Sequence, residues 1–290
     1  MHDLTIDIVI PGAQKAGTSS LLDALGRHTS IVRHVTAEFP PLVNSQASLD
    51  EGITKLFPRA GAAQLRLAKS AGAMHTNDSF ERLHAHNPNA RLIFMLRNPV
   101  NRMYSAYWFA RRTGDEPLST FSEAIAAEGV RQDVPPARRP WVDYRRRSDY
   151  LTPLRRASGL FGRDQLKIVL LEDYAIDREE CLNELQAWLG LAIEPLAPAS
   201  AVRNEAAAAS SVRLAGLARR SGLPVRMARR ILPGQWGTHL RRKVISFNEK
   251  PVSVPPLDDA LRRRLDDEFA EHNRILGDEF DLATTRWMSA

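Results

Sequence analysis

The residues with the clearest chemical potential form the segment Gly12-Ala13-Gln14-Lys15-Ala16-Gly17-Thr18-Ser19. Two glycines separated by four residues have the spacing of a nucleotide phosphate loop, in which a tight turn aims successive backbone N–H groups at one anion. The lysine that reaches the outer phosphates in ATPases and kinases follows the second glycine, and here Thr18 stands in that place. The segment's own lysine, Lys15, lies inside the loop, which disfavours ordinary ATP hydrolysis. A second group begins at Arg97, whose planar fork, with the hydroxyl of Ser105 further on, suits a phosphate. The alternatives are an incidental lysine in a generic turn, a structural ion pair for Arg97 and a surface role for Ser105.

Such groups act only where secondary structure holds them. The apolar run 6–10 reads as a buried strand broken by Pro11-Gly12, after which a helical pattern starts at Thr18 with Leu21, Leu22 and Leu25 on one face. The loop therefore joins a strand to a helix N-terminus, an arrangement that favours anions. A second strand over 91–96 delivers Arg97 at its carboxyl edge, where ligands bind in open α/β sheets. Asn98 is suited to cap the following helix and Pro99 to open it. That helix carries Val100, Met103, Tyr104, Tyr107 and Trp108 in one stripe, with Ser105 on its flank.

A third strand is expected over 166–171. Asp177 and Glu180 then form a capping box for a helix that stops at Gly190, and a last helix covers about 258–276. Apolar strands alternating with amphipathic helices predict an α/β fold, a central parallel sheet flanked by helices, in one domain over 1–290. The segments 39–59 and 203–256 lack steady periodicity and read as loop-rich lids or substrate walls.

Composition narrows the class. The chain has 290 residues, 43% hydrophobic and 26% charged, as in a soluble globular protein. Its single cysteine, Cys181, excludes an internal disulfide framework and a cysteine-cluster metal site. No apolar run approaches a transmembrane segment, and the run 6–10 is too short for a secretory leader, so a cytoplasmic location is expected. The net charge of +6, carried by forty basic residues of which only six are lysines, fits either a solvated surface or anionic ligands.

Taken together, Lys15-Ala-Gly-Thr-Ser-Ser-Leu21 and Arg97-Asn-Pro-Val-Asn-Arg-Met-Tyr-Ser105-Ala-Tyr107 resemble the two signature segments of sulfotransferases that use 3′-phosphoadenosine 5′-phosphosulfate (PAPS). The match is nearest the bacterial and heparan-sulfate-sulfotransferase-like branch. Weaker likeness continues through Ser148-Asp149-Tyr150, Glu172-Asp173 and Trp188-Leu189-Gly190-Leu191. The resemblance implies a P-loop nucleotide-kinase-like domain that moves a sulfonate group to an acceptor hydroxyl or amine, leaving adenosine 3′,5′-bisphosphate. It implies that Lys15, Ala16, Gly17, Thr18 and Ser19 hold the 5′-phosphosulfate, and that Arg97 and Ser105 hold the 3′-phosphate.

The same resemblance supplies catalytic candidates. Where the branch carries a Lys-Glu pair before an aromatic stretch, with the glutamate as general base, this chain reads Ala37-Glu38-Phe39. A second family lysine, which precedes a Ser/Thr-Pro pair, corresponds to Lys69-Ser70, with Ala71 replacing the proline. Lys15, Glu38 and Lys69 are the catalytic candidates; His34 and His75 are alternative bases, since some sulfotransferases use histidine. No metal is expected, because the leaving group is an anhydride phosphate clamped by cations. The acceptor is expected to be a small molecule or a glycan rather than nucleic acid, and the sequence does not fix the oligomeric state. Two other readings stand beside this one. The first is a kinase or NTPase with an irregular loop, whose acid would come from Glu172-Asp173. The second is a basic protein that binds nucleic acid or a polyanion through Arg138-Arg139, Arg145-Arg146-Arg147 and Arg241-Arg242-Lys243.

Overall fold

The computed structural model describes residues 4–58, 64–196 and 254–287. Five strands form one parallel sheet: β1 (Ile8–Gly12), β2 (Ile31–Arg33), β3 (Leu65–Lys69), β4 (Arg91–Leu96) and β5 (Leu166–Leu170), in the order β2-β3-β1-β4-β5. Because β1 lies between β3 and β4, their carboxyl ends fall side by side, bringing Gly12, Lys69 and Arg97 to one edge. The central strands β1 and β4 are nearly continuous apolar runs, and Ile8 to Ile10 and Leu92 to Leu96 are fully buried. That is the pattern of a sheet covered on both faces.

The expected strand 6–10 runs instead to Gly12. Pro11 has no N–H to give a ladder, and the pairing with β4 shifts register between Val9 and Gly12, so the irregularity absorbs it. Helices α1 (Thr18–Leu25), α2 (Leu49–Leu56) and α3 (Ser79–His86) follow in order through the first third of the chain. Helix α4 (Pro99–Thr113) starts as predicted, with Asn101 N donating to Asn98 Oδ1 at 2.9 Å. Beyond it come α5 (Phe121–Ala126), α6 (Leu151–Phe161), α7 (Leu171–Ile176), α8 (Arg178–Trp188) and α9 (Asp259–Phe280). Asp177 caps α8 by accepting from Glu180 N at 2.9 Å.

The described residues fall into two compact units. The first comprises 4–102, 149–196 and 272–287 and contains the whole sheet. The second comprises 103–148 and 254–271, and its interior is partly polar. There Glu116 is fully buried and accepts from Arg131 Nη1 and Nη2 at 2.9 and 2.8 Å, Tyr144 Oη at 2.8 Å and Leu118 N at 2.8 Å. The loop-rich segment 39–59 holds a 3₁₀ turn, Pro40–Leu42, and then α2, which Ser48 caps by accepting from Glu51 N. Most of the segment 203–256 lies outside the described residues, as do Arg241, Arg242 and Lys243. Among the described residues no helix is long and apolar enough to cross a membrane.

Candidate active site

The loop between β1 and α1 is anchored to the neighbouring strand, since Ala13 N donates to Met95 O at 2.6 Å. It then turns through two left-handed residues, Lys15 at φ 70° and Gly17 at φ 87°. Only glycine enters that region without strain, and a Cβ on Gly17 would also sit 2.8 Å from Leu171 Cδ1. Ala16 is buried within the turn, where its N–H donates to Ala13 O at 3.2 Å. Thr18 is the buried first residue of α1 and Ser19 is exposed. No side chain caps the N-terminus of α1, and Ser20 N is taken up by Gly17 O at 2.9 Å, which leaves the N–H groups of Thr18 and Ser19 at the positive end of the helix. The geometry is that of an anion cradle.

Arg97 follows β4 and is half-buried; its Nη1 donates to Lys15 O at 3.4 Å, which ties it to the same loop. Burial pushes its guanidinium below the usual range, against the nearby Glu172 and Tyr150. A cation desolvated in this way gains most from an anionic ligand. Tyr150 Oη donates to Arg97 O at 2.9 Å, and Asn98 N donates to Glu172 Oε1 at 3.0 Å, fixing the strand end from two sides. Ser105 is half-buried on α4 and belongs to the second unit.

The second cluster joins residues that are distant in sequence. Lys69, at the end of β3, is 1% exposed, yet its Nζ lies 3.0 Å from Ser19 Oγ and 2.8 Å from Glu38 Oε1. Ala71 N donates to the other carboxylate oxygen, Glu38 Oε2, at 2.9 Å. Glu38 is thus oriented at both oxygens while its side chain remains 47% exposed. A buried ammonium links a carboxylate that solvent can reach to the hydroxyl of Ser19, in the loop between β1 and α1. The structure therefore brings Ser19, Lys69 and Glu38 together, and Arg97 to the backbone of Lys15.

The histidines divide differently. His34 is fully buried, and its Nε2 accepts the backbone N–H of Lys69 at 3.1 Å. His75 ends a 3₁₀ turn, Ala73–His75, beyond β3. Glu172 and Asp173, the acids that a magnesium-dependent reading requires, are held by Asn98 N and by Arg286 respectively. Among the described residues no three His, Cys, Asp or Glu side chains are grouped so as to hold a metal ion. The sequence did not single out the contacts of His34, or Tyr150 as a brace for Arg97. Both depend on partners 35 and 53 positions away, which no local spacing reveals.

A parallel sheet with a phosphate loop after its central strand, opening at the carboxyl edge, defines the first unit as a P-loop nucleotide-kinase-like α/β fold. Within that class, residues 5–211 match the sulfotransferase domain family, and the chain belongs to it. Heparan sulfate glucosamine 3-O-sulfotransferase 6 of Homo sapiens is 32% identical over 102 residues, covering 34% of this chain and 29% of that protein. The Mus musculus protein of the same name matches with the same identity and coverage. The chain thus spans less than a third of the length of these curated relatives. A crystal structure of a sulfotransferase from Alicyclobacillus acidocaldarius shares the fold, with a TM-score of 0.69, 22% identity and 98% of each chain covered.

Proposed function

We propose that this chain transfers the sulfonate group of PAPS to the hydroxyl or amine of a small-molecule or glycan acceptor and releases adenosine 3′,5′-bisphosphate. The observation that carries the proposal is the Ser19–Lys69–Glu38 chain, which joins a phosphate loop to a reachable carboxylate. The acceptor heteroatom forms a bond to sulfur as the bond between sulfur and the bridging oxygen breaks. The electron pair leaves on the 5′-phosphate, and the acceptor proton passes to Glu38. In this reading Lys15 and Lys69 meet the charge that builds on the departing oxygens, and preorganised cations of this kind supply much of the acceleration in such transfers. Loop amides from Gly17 to Ser19, with the Thr18 and Ser19 hydroxyls, hold the 5′-phosphate. Arg97 and Ser105 take the 3′-phosphate, which distinguishes PAPS from ATP.

The kinase reading is weaker, because Thr18 stands where the ATPase lysine follows the second glycine; of the acids that reading needs, Asp173 is paired with Arg286 and Glu172 accepts from Asn98 N through one oxygen. A thermal-shift comparison separates the two. Adenosine 3′,5′-bisphosphate at about 100 times its dissociation constant is expected to stabilise the fold by roughly 2.7 kcal/mol. ATP with magnesium is expected to do far less, and equal or greater stabilisation by ATP would transfer the assignment to the kinase reading. Release of adenosine 3′,5′-bisphosphate from PAPS across an acceptor panel then measures turnover.

A further inference from the structure

The segment leading into Glu38 carries a histidine that the proposed chemistry does not use. The His34 ring packs against Phe39 and Phe57, with centroids 5.8 and 6.0 Å away, and both of its nitrogens have partners. Lys69 N donates to Nε2 at 3.1 Å, so Nε2 presents a lone pair and the ring proton sits on Nδ1. Nδ1 then donates to Thr36 Oγ1 at 3.0 Å, and Thr36 Oγ1 donates to the carbonyl oxygen of Glu38 at 2.6 Å. Burial, with the charges of Lys69 and Arg33, lowers the imidazole to about 4, so it stays neutral at physiological pH.

One neutral ring therefore holds the backbones of both residues whose side chains form the ion pair, Lys69 directly and Glu38 through Thr36. Phe39 N donating to Lys69 O at 2.7 Å closes the same seam. His34 itself is poorly placed to be the base. Its acceptor nitrogen is occupied by a backbone N–H, and the ring is shut away from solvent.

We propose that His34 is a positioning residue that fixes Glu38 against Lys69 and so aims the base at the phosphate loop without touching substrate. This role rests on the sulfotransferase reading with Glu38 as base. Small displacements of a positioned group are costly, and about 1 Å is enough to lose roughly 10²-fold in rate.

The test uses two substitutions and an independent measurement. His34→Phe keeps the ring volume and its packing on Phe39 and Phe57 but removes both hydrogen bonds. His34→Gln restores an acceptor for Lys69 N–H. Affinity for adenosine 3′,5′-bisphosphate is expected to hold in both, while kcat falls about 10²-fold in His34→Phe and partly recovers in His34→Gln. In a Glu38→Gln background His34→Phe is expected to add no further loss, because the group through which it acts is already gone. Nitrogen-15 NMR of the wild-type imidazole is expected to report the neutral Nδ1–H tautomer down to about pH 4. A folded His34→Phe with wild-type kcat, or a full second loss in the Glu38→Gln background, overturns the role, and if His34→Phe does not fold, an undiminished kcat in His34→Asn, which lacks an acceptor at Nε2, does so instead. A charged or Nε2–H imidazole at neutral pH overturns the geometry. A wild-type chain that neither binds adenosine 3′,5′-bisphosphate nor consumes PAPS sinks the sulfotransferase reading and the role with it, and the NMR result still reads the contacts of His34.

Discussion

Lys15 and Glu38 divide the proposed chemistry between donor and acceptor, and this division can be tested. Lys15 sits in the loop, where its ammonium would meet the donor before and during transfer. Lys15→Ala is therefore expected to weaken nucleotide binding and turnover together. Glu38 touches Lys69 Nζ and Ala71 N and exposes the rest of its carboxylate. Glu38→Gln keeps that shape and removes the base, so donor affinity is expected to hold while kcat falls by roughly 10²–10⁴-fold. Nucleotide titration beside turnover, for each variant with an accepted acceptor, decides the matter. Near-wild-type turnover in Glu38→Gln would remove it as base. A Lys15→Ala chain that binds and transfers normally would undo the sulfotransferase assignment itself. Glu38 and Lys69 were reached in sequence only through family likeness, because 31 positions separate them and no periodicity joins them.

At the scale of elements, the turn between β1 and α1 is where local sequence and fold agree most closely. Gly17 at φ 87° is the residue on which that turn depends. Gly17→Ala is expected to cost roughly 1–2 kcal/mol from the left-handed backbone alone, and the 2.8 Å approach to Leu171 Cδ1 adds to it. Urea unfolding with and without adenosine 3′,5′-bisphosphate checks this, with the ligand expected to recover less stability than in the wild type. A variant as stable as the wild type would show that the loop relaxes freely. The same scale shows what the sequence hid. The strands β1, β4 and β5 are legible because apolar residues dominate them, with Arg91 only at the start of β4 and Lys167 the one charge inside β5. The strand β3, Leu-Arg-Leu-Ala-Lys, carries two cations, one of them a buried lysine that only its partners Ser19 and Glu38 make tolerable. With three residues, β2 is too short for any period to register. Asn98 was readable as a cap because the Asn-Pro pair states its own geometry, whereas Glu172 on its backbone N–H comes from the far side of β5.

For the whole molecule, the excess of basic residues raises the question of what the arginines do. In the second unit most of those described are engaged at home. Arg145 meets Glu128 at 2.7 Å and Glu268 at 2.6 Å, Arg138 meets Asp115 at 3.2 Å, and Arg147 lies over Trp141 at 4.6 Å. The basic runs thus serve packing and internal pairing, which weakens the polyanion-binding reading for these residues. Position decides how much each pair matters. Arg146 and Asp143 are 3.0 Å apart but well exposed, and such pairs contribute about 0–1 kcal/mol. Arg131 and Glu116 are buried, and removing one partner strands a charge at a cost of about 3–5 kcal/mol. Burial first, and then the adjacent Glu116, push the Tyr144 phenol upward, so its hydroxyl stays protonated and remains a donor to that carboxylate. One hydroxyl and one N–H cannot replace a bidentate guanidinium. Arg131→Met is therefore expected to shift the urea midpoint strongly, and Arg146→Ala hardly at all, in parallel denaturation experiments. Equal and small effects would mean that apolar packing alone holds the second unit and that its buried charges are incidental.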